Sequence, residues 1–307
     1  MSKTVFIFPG QGAQYVEMGK DFYEAFAIAK ETFEEASDLL SRKFADLIFK
    51  EGEALSETKN SQIAIFVVSS AILRVVKHQF PDLIPSICAG LSLGEYTALF
   101  GAEKIAFSDA VQIVSLRGQF MQEACEGARG CMRVVLGLDV EKVRAHLPQS
   151  IWVANLNCPG QVVIAGLESS MAAAEEALKG QGARRILPLE VSGAFHTPLM
   201  QPAQEKLTPY LEQLKLHAGI ADVVMNVTGE KALSQEEIRK NLIAQVVSTT
   251  EWEKEIRTIE KEEPSLYVEM GPGKTLAGMN KKIGVQGLTV SIEKVTDLEA
   301  LDGAIHR

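Results

Sequence analysis

The chain has 307 residues, 46% apolar and 23% charged, which excludes disorder as its main state and leaves room for two domains, or for one large α/β domain carrying an insertion. Its 31 basic and 40 acidic residues give a net charge of −9 without any run of five like charges. A polyanion such as nucleic acid is thereby excluded as a general partner, and any anion must be held locally.

Thr4 to Phe8 is a short apolar run ended by Pro9-Gly10, and it predicts a buried strand feeding a glycine-rich loop, Pro9 to Gln14, with a helix beyond. After Lys3 that apolar core is too short for a secretory signal. Helical periodicity runs through Asp21 to Leu40 and Gln62 to His78. The stretch Ile63 to Val76 is interrupted by Ser69, Ser70 and Arg74 and falls short of the roughly 20 residues of a membrane span, so a cytoplasmic location without membrane contact is expected. Ser86 to Ala89 predicts a second buried strand running into Gly90, and Ser108 is the expected N-cap of a helix reaching about Cys125.

Past the glycines at 127 and 130 the pattern changes. Strands are predicted at Met132 to Leu138, Ile151 to Asn157, Gln161 to Ala165 and Arg185 to Glu190, with helices at Val140 to Leu147 and Glu168 to Gln181. This β-α-β-β-α-β order builds a ferredoxin-like unit. Helices near Leu199 to Leu214 and Gln235 to Ala244 and strands at Leu266 to Glu269 and Leu288 to Ser291 complete the outer part. The expected fold is α/β: an α/β-hydrolase-like catalytic domain with a parallel-sheet core over residues 1–128 and 194–307, and an inserted ferredoxin-like domain over residues 129–193.

Gly90-Leu91-Ser92-Leu93-Gly94 is a G-x-S-x-G between a buried strand and a helical stretch. A sharp strand-to-helix turn there would lift the Ser92 hydroxyl clear of the sheet and set the Leu93 amide at a helix N-terminus, where an oxyanion is stabilised. The alternative is an ordinary turn with a capping serine. A serine nucleophile needs a base. Of the five histidines, His196 stands at a loop-to-helix junction after Val191 to Phe195, whereas His78, His146, His217 and His306 read as helix-end or surface residues. A hydrogen-bonded core histidine is the competing reading for His196, and no carboxylate partner for it can be picked out.

Arg117 lies on the apolar stripe formed by Ala110, Ile113, Val114, Phe120 and Met121. A guanidinium buried there needs an anion, either an acid of the chain or a carboxylate of the substrate held bidentately. Met270-Gly271-Pro272-Gly273-Lys274-Thr275 mimics the end of a phosphate-binding loop, but Val268 stands where its first glycine belongs, and Tyr15 likewise spoils a dinucleotide fingerprint after Gly10. Both segments read instead as turns bringing backbone amides to an active-site rim. Cys88, Cys125, Cys131 and Cys158 lack metal-ligand spacing and are expected to be reduced thiols.

Together these residues resemble the malonyl-CoA:acyl carrier protein transacylases of fatty-acid and polyketide synthesis over nearly the whole length. The likeness rests on Phe8 to Gln14, Gly90 to Tyr96, Arg117, Ala154 to Gln161, Gly193 to His196, Asn241 to Gln245 and Glu269 to Pro272. It implies that Ser92 carries the acyl group, His196 is its base, and the amides of Gln11 and Leu93 form the oxyanion hole. It further implies that Arg117 clamps the malonyl carboxylate and that Gln245 holds His196 through its main-chain carbonyl. Asn155, Asn157 and Gln161 would face the pantetheine arm, and Phe195 would restrict the acyl group to malonyl. Leu91 departs from the histidine common before the nucleophile, and with it goes a polar contact to the acyl group.

Malonyl-CoA and acyl carrier protein are the implied partners, with no metal or redox cofactor, and a monomer is expected. The carrier is acidic, so Arg129, Arg133, Arg184, Arg185, Lys281 and Lys282 are candidates for a local basic patch. A serine thioesterase or acylhydrolase and a non-catalytic carrier-binding subunit remain as rival readings.

Overall fold

Thr4–Phe8 (β1) is buried at all five positions because it lies inside a sheet covered on both faces, the environment that selects a continuous apolar run. A computed structural model describes residues 3–306. Ile87–Gly90 (β2) and Leu266–Met270 (β9) flank β1 in parallel. The full order of the six-stranded sheet is β10-β9-β1-β2-β7-β8, where β10 is Leu288–Ile292, β7 is Asp222–Met225 and β8 is Glu230–Lys231. All its pairings are parallel except the β7–β8 hairpin.

The second sheet is antiparallel, in the order β4-β5-β3-β6: Ile151–Cys158 (β4), Gln161–Leu167 (β5), Gly130–Leu136 (β3) and Arg185–Pro188 (β6). The helices Val140–Ala145 and Glu168–Gly180 connect these strands in the predicted order. Val135, Val143, Ile151, Ile164, Met171 and Leu178 belong to a cluster of their own on this sheet. Its edge strand β4 is tied to the rest of the chain at Thr250. There Leu156 N–H donates to Thr250 O at 2.9 Å and Thr250 N–H donates to Ala154 O at 2.9 Å. The register of β4 slips between Val153 and Asn155, beside this attachment.

Packing moves several predicted boundaries. The expected helix from Asp21 to Leu40 is two helices, Lys20–Ala25 and Ala27–Leu40, broken where Phe26 is extended. Thr58–Gln79 is longer than the predicted Gln62 to His78 and apolar enough to cross a membrane by length and composition, with a mean hydropathy of 1.3. Its most apolar window is 83% buried inside the fold, against the Phe107–Gly127 helix among others, so its apolarity reflects a core position.

Ser108 is not an N-cap. The helix begins at Phe107 after Ala106, where the Phe107 ring stacks on Phe66 and packs at a tilt against Phe100. The predicted Leu199 to Leu214 helix is a 3-10 turn, Pro198–Met200, capped by Thr197 and followed by Gln201–Glu212. Among the described residues all four cysteines are free.

Candidate active site

The strand-to-helix elbow is enforced by close backbone approaches. A Cβ on Gly90 would lie 2.0 Å from Gly94 O, and one on Gly94 would lie 2.1 Å from Phe8 O. A Cβ on Gly10 would lie 2.4 Å from Leu91 O. Only glycine permits these contacts, and they lock the Gln11 loop against the elbow. Ser92 is thereby held at φ 54°, a left-handed conformation uncommon for a side-chain-bearing residue and characteristic of a nucleophile raised on a tight turn. The helix Gly94–Gly101 follows directly.

His196, also left-handed at φ 59°, places Nε2 2.8 Å from Ser92 Oγ. Its Nδ1 is 2.8 Å from the main-chain carbonyl of Gln245. A carbonyl only accepts, so Nδ1 carries the proton and Nε2 offers its lone pair to the serine. Burial, and then the Arg117 charge, push the imidazole down to about 4, against hydrogen bonding to the Gln245 and Ser248 backbone. It is therefore neutral at pH 7 and available as a base. Among the described residues the backbone amides of Gln11 and Leu93 have no protein acceptor, as donors awaiting an oxyanion require.

Arg117 is 1% exposed, and no acid of the described residues is in ion-pair contact with it. Two neutral amides hold it instead: Nη1 donates to Gln62 Oε1 at 2.5 Å and Nη2 to Gln245 Oε1 at 2.9 Å. Nη2 also lies 3.1 Å from Ser92 Oγ, and Nε has no partner among the described residues. The stripe reading correctly buries the cation, and among the described residues no carboxylate is in contact with it; Glu95 acts on it only through space.

Beneath the elbow lies a polar web absent from the sequence reading. Asn226, just past β7, accepts from Ser92 N–H at 2.6 Å and donates through Nδ2 to Gly90 O and Glu255 Oε1. Glu95 accepts from Asn226 N–H and from Gln245 Nε2, each at 2.6 Å. Gln245 Nε2 also donates to Ser92 O at 2.9 Å. Burial pushes the Glu95 carboxyl up to about 8, against the Asn226 hydrogen bond, the Arg117 charge and the Gln245 hydrogen bond, and raises Glu255 as well, aided by the Glu95 charge. Glu95, next to the elbow motif, was open to suspicion from the sequence. Gln62 and Asn226 carry no local signal, since only packing brings them here.

A cavity of about 300 Å³ opens over Ser92 and His196. Gln11, Leu91, Asn155, Asn157 and Gln161 contribute polar and apolar parts of its wall, and Phe195 lines it together with His196. Arg117 is not part of that wall and meets the cavity at Ser92. Asn155 is partly committed elsewhere, donating to Thr250 Oγ1 at 2.5 Å, whereas Asn157 Oδ1 is buried without a partner among the described residues.

The loop that imitates a phosphate site ends in Thr275 and Leu276, which line the cavity, and Glu269 accepts from the Leu276 and Ala277 amides to start the Thr275–Ile283 helix. Of the candidate basic patch, Arg133 is spent in an ion pair with Glu175 at 2.7 Å and does not belong to it. Arg129, Arg184, Arg185, Lys281 and Lys282 are exposed, and Lys282 donates to Gln161 at the cavity edge.

A hydroxyl on a strand-to-helix elbow, a neutral imidazole set by a carbonyl, and two amides without a protein acceptor form an arrangement suited to a serine enzyme that works through an acyl intermediate. The acyl transferase domain family matches residues 5–293. The malonyl CoA-acyl carrier protein transacylase of Bacillus subtilis is 39% identical, over 100% of this chain and 97% of its own. That of Haemophilus influenzae is 37% identical, over 98% and 99%. The crystal structure of MCAT from Streptococcus pneumoniae superposes with a TM-score of 0.92 at 38% identity, covering 97% of this chain and 99% of that one. A malonyl-transacylase solved in complex with its type II PKS acyl-carrier protein gives 0.94 at 36% identity, over 98% and 100%. The chain belongs to the malonyl CoA-acyl carrier protein transacylase family.

Proposed function

We infer that the protein moves a malonyl group from malonyl-CoA to the phosphopantetheine thiol of acyl carrier protein through a malonyl-Ser92 intermediate, supplying extender units for fatty-acid or polyketide synthesis. The observation that carries the choice of acyl group is Arg117, a buried cation held by neutral amides against the nucleophile. A substrate carboxylate is the counter-ion that this arrangement calls for.

In the first half-reaction His196 Nε2 takes the Ser92 proton as Oγ attacks the thioester carbonyl. The oxyanion falls on the Gln11 and Leu93 amides, the C–S bond breaks, and His196 returns the proton to the departing CoA sulfur. In the second, the carrier thiol gives its proton to His196 and attacks the malonyl ester, and that proton goes back to Ser92 Oγ as its bond to the acyl carbon breaks. Asn155, Asn157 and Gln161 face the pantetheine arm, Phe195 excludes bulk at the malonyl α-carbon, and Leu91 offers only apolar contact. These steps need no metal or redox cofactor.

Residues 129–193 act as an inserted ferredoxin-like domain, a reading supported by the spatial order of the small sheet. Residues 1–128 and 194–307 act as the α/β-hydrolase-like catalytic domain, supported by the parallel sheet and its elbow. The proposed setting is the cytoplasm, with the protein working as a monomer.

The test compares malonyl delivered to holo-acyl carrier protein with free malonate released. Transfer well above hydrolysis is expected, and release of malonate alone would identify a hydrolase. Added salt should slow the carrier half-reaction more than acylation if Arg129, Arg184, Arg185, Lys281 and Lys282 attract the carrier.

A further inference from the structure

Resting on the reading of Arg117 as the malonyl clamp, we propose that Gln62 is a selectivity-determining positioning residue. Its neutral amide seats the guanidinium beside Ser92 without cancelling its charge, so that an acyl group bearing a carboxylate is preferred.

Gln62 sits in the first part of the Thr58–Gln79 helix and is fully buried. Its Oε1 takes the Arg117 Nη1 donor at 2.5 Å, the shortest contact of the guanidinium. Its Nε2, by contrast, has only weak partners, the thioether Met121 Sδ at 3.4 Å and a long contact of 3.5 Å to Gln11 Oε1. The acceptor end is tightly used and the donor end is loosely used.

A carboxylate of the same shape would therefore fit at this position and lose little hydrogen bonding. It would form a buried ion pair with Arg117 and remove the unmet charge that recruits malonyl. An amide seats the cation while leaving it in want of an anion, and this is the physical reason for glutamine where glutamate would bind the arginine more strongly. Gln245, the second seat, cannot be exchanged so cleanly, because its Nε2 is bound to both Ser92 O and Glu95.

The experiment measures Gln62→Glu and wild type in two assays on the full chain: acylation by malonyl-CoA, and labelling of Ser92 by a neutral fluorophosphonate, which reports an activated serine without any substrate carboxylate. In Gln62→Glu, malonyl kcat/KM is expected to fall by about 100-fold while labelling stays within about threefold of wild type. Equal falls in both assays would make Gln62 merely structural, and no fall in either would remove it from selectivity; each result overturns the proposal.

Gln62→Met keeps the shape without acceptor or charge and decides the matter if the glutamate variant does not fold. It is expected to raise the malonyl KM by about tenfold with labelling retained, and equal losses in both assays would overturn the proposal. The wild-type control separates the two levels of inference. A serine that labels with fluorophosphonate but never accepts malonyl would defeat the malonyl reading itself, whatever the Gln62 variants do.

Discussion

Replacing Arg117 by methionine removes the charge and keeps much of the side-chain volume, so it isolates what the cation contributes. A malonyl carboxylate about 4 Å from a buried guanidinium gains about 4 kcal/mol at an effective dielectric constant of about 20. Breaking a buried pair by deleting one partner costs about 3–5 kcal/mol. At about 1.4 kcal/mol per decade, the ratio of malonyl to acetyl kcat/KM should drop by about two to three and a half decades. A neutral acetyl group makes no such ion pair and loses only what Arg117 contributes by its 3.1 Å contact with Ser92 Oγ.

Gln62 and Gln245 would each lose a donor to a buried oxygen, costing about 1–3 kcal/mol of stability apiece, so a lowered Tm is part of the expectation. The assay is the rate of acyl transfer from malonyl-CoA and acetyl-CoA under identical conditions, normalised to folded protein. A parallel fall for both donors would show that the arginine only supports the elbow, and the account of acyl selection would be wrong.

Two further predictions concern the base and the elbow. His196 must be neutral to act and its pKa is lowered to about 4, so kcat/KM should hold as pH falls from neutrality and be lost only as pH passes down through about 4. In Arg117→Met that acid limb should move up, though not to the ordinary histidine range, because burial is the larger cause; a pH profile of fluorophosphonate labelling reads the shift, and an unmoved limb would contradict the electrostatic link. Gly94→Ala should abolish Ser92 labelling and lower Tm, since its Cβ would meet Phe8 O at 2.1 Å. Gly278→Ala, with open space around it in the Thr275–Ile283 helix, should instead gain up to about 1 kcal/mol in thermal unfolding, and the reverse order would refute the packing account.

What could be read in the sequence divides along a physical line. Local patterns sufficed for β1, for β2 and its elbow, and for the alternating elements between Gly130 and Pro188, because burial on one face or two imposes its period on the residues themselves. Arg117 was legible as an anomaly on an apolar stripe, although the stripe could not say whether acid or amide met it. The short β7 strand at Asp222–Met225 was not read, and with it went Asn226, which orients Ser92 from 134 residues away. Gln62 was also missed, since a glutamine at the polar start of a predicted helix looks like an ordinary helix-end residue until the Phe107–Gly127 helix brings Arg117 against it. The start at Phe107 goes with packing on Phe66, which is far away in sequence and outside any local window.

Intact-protein mass spectrometry after brief mixing with malonyl-CoA tests the central claim most directly. The account predicts a single added malonyl group that maps to Ser92, disappears on addition of holo-acyl carrier protein as the carrier gains it, and never forms in Ser92→Ala. No covalent adduct under conditions where the carrier still becomes malonylated, or an adduct on another residue, would contradict it.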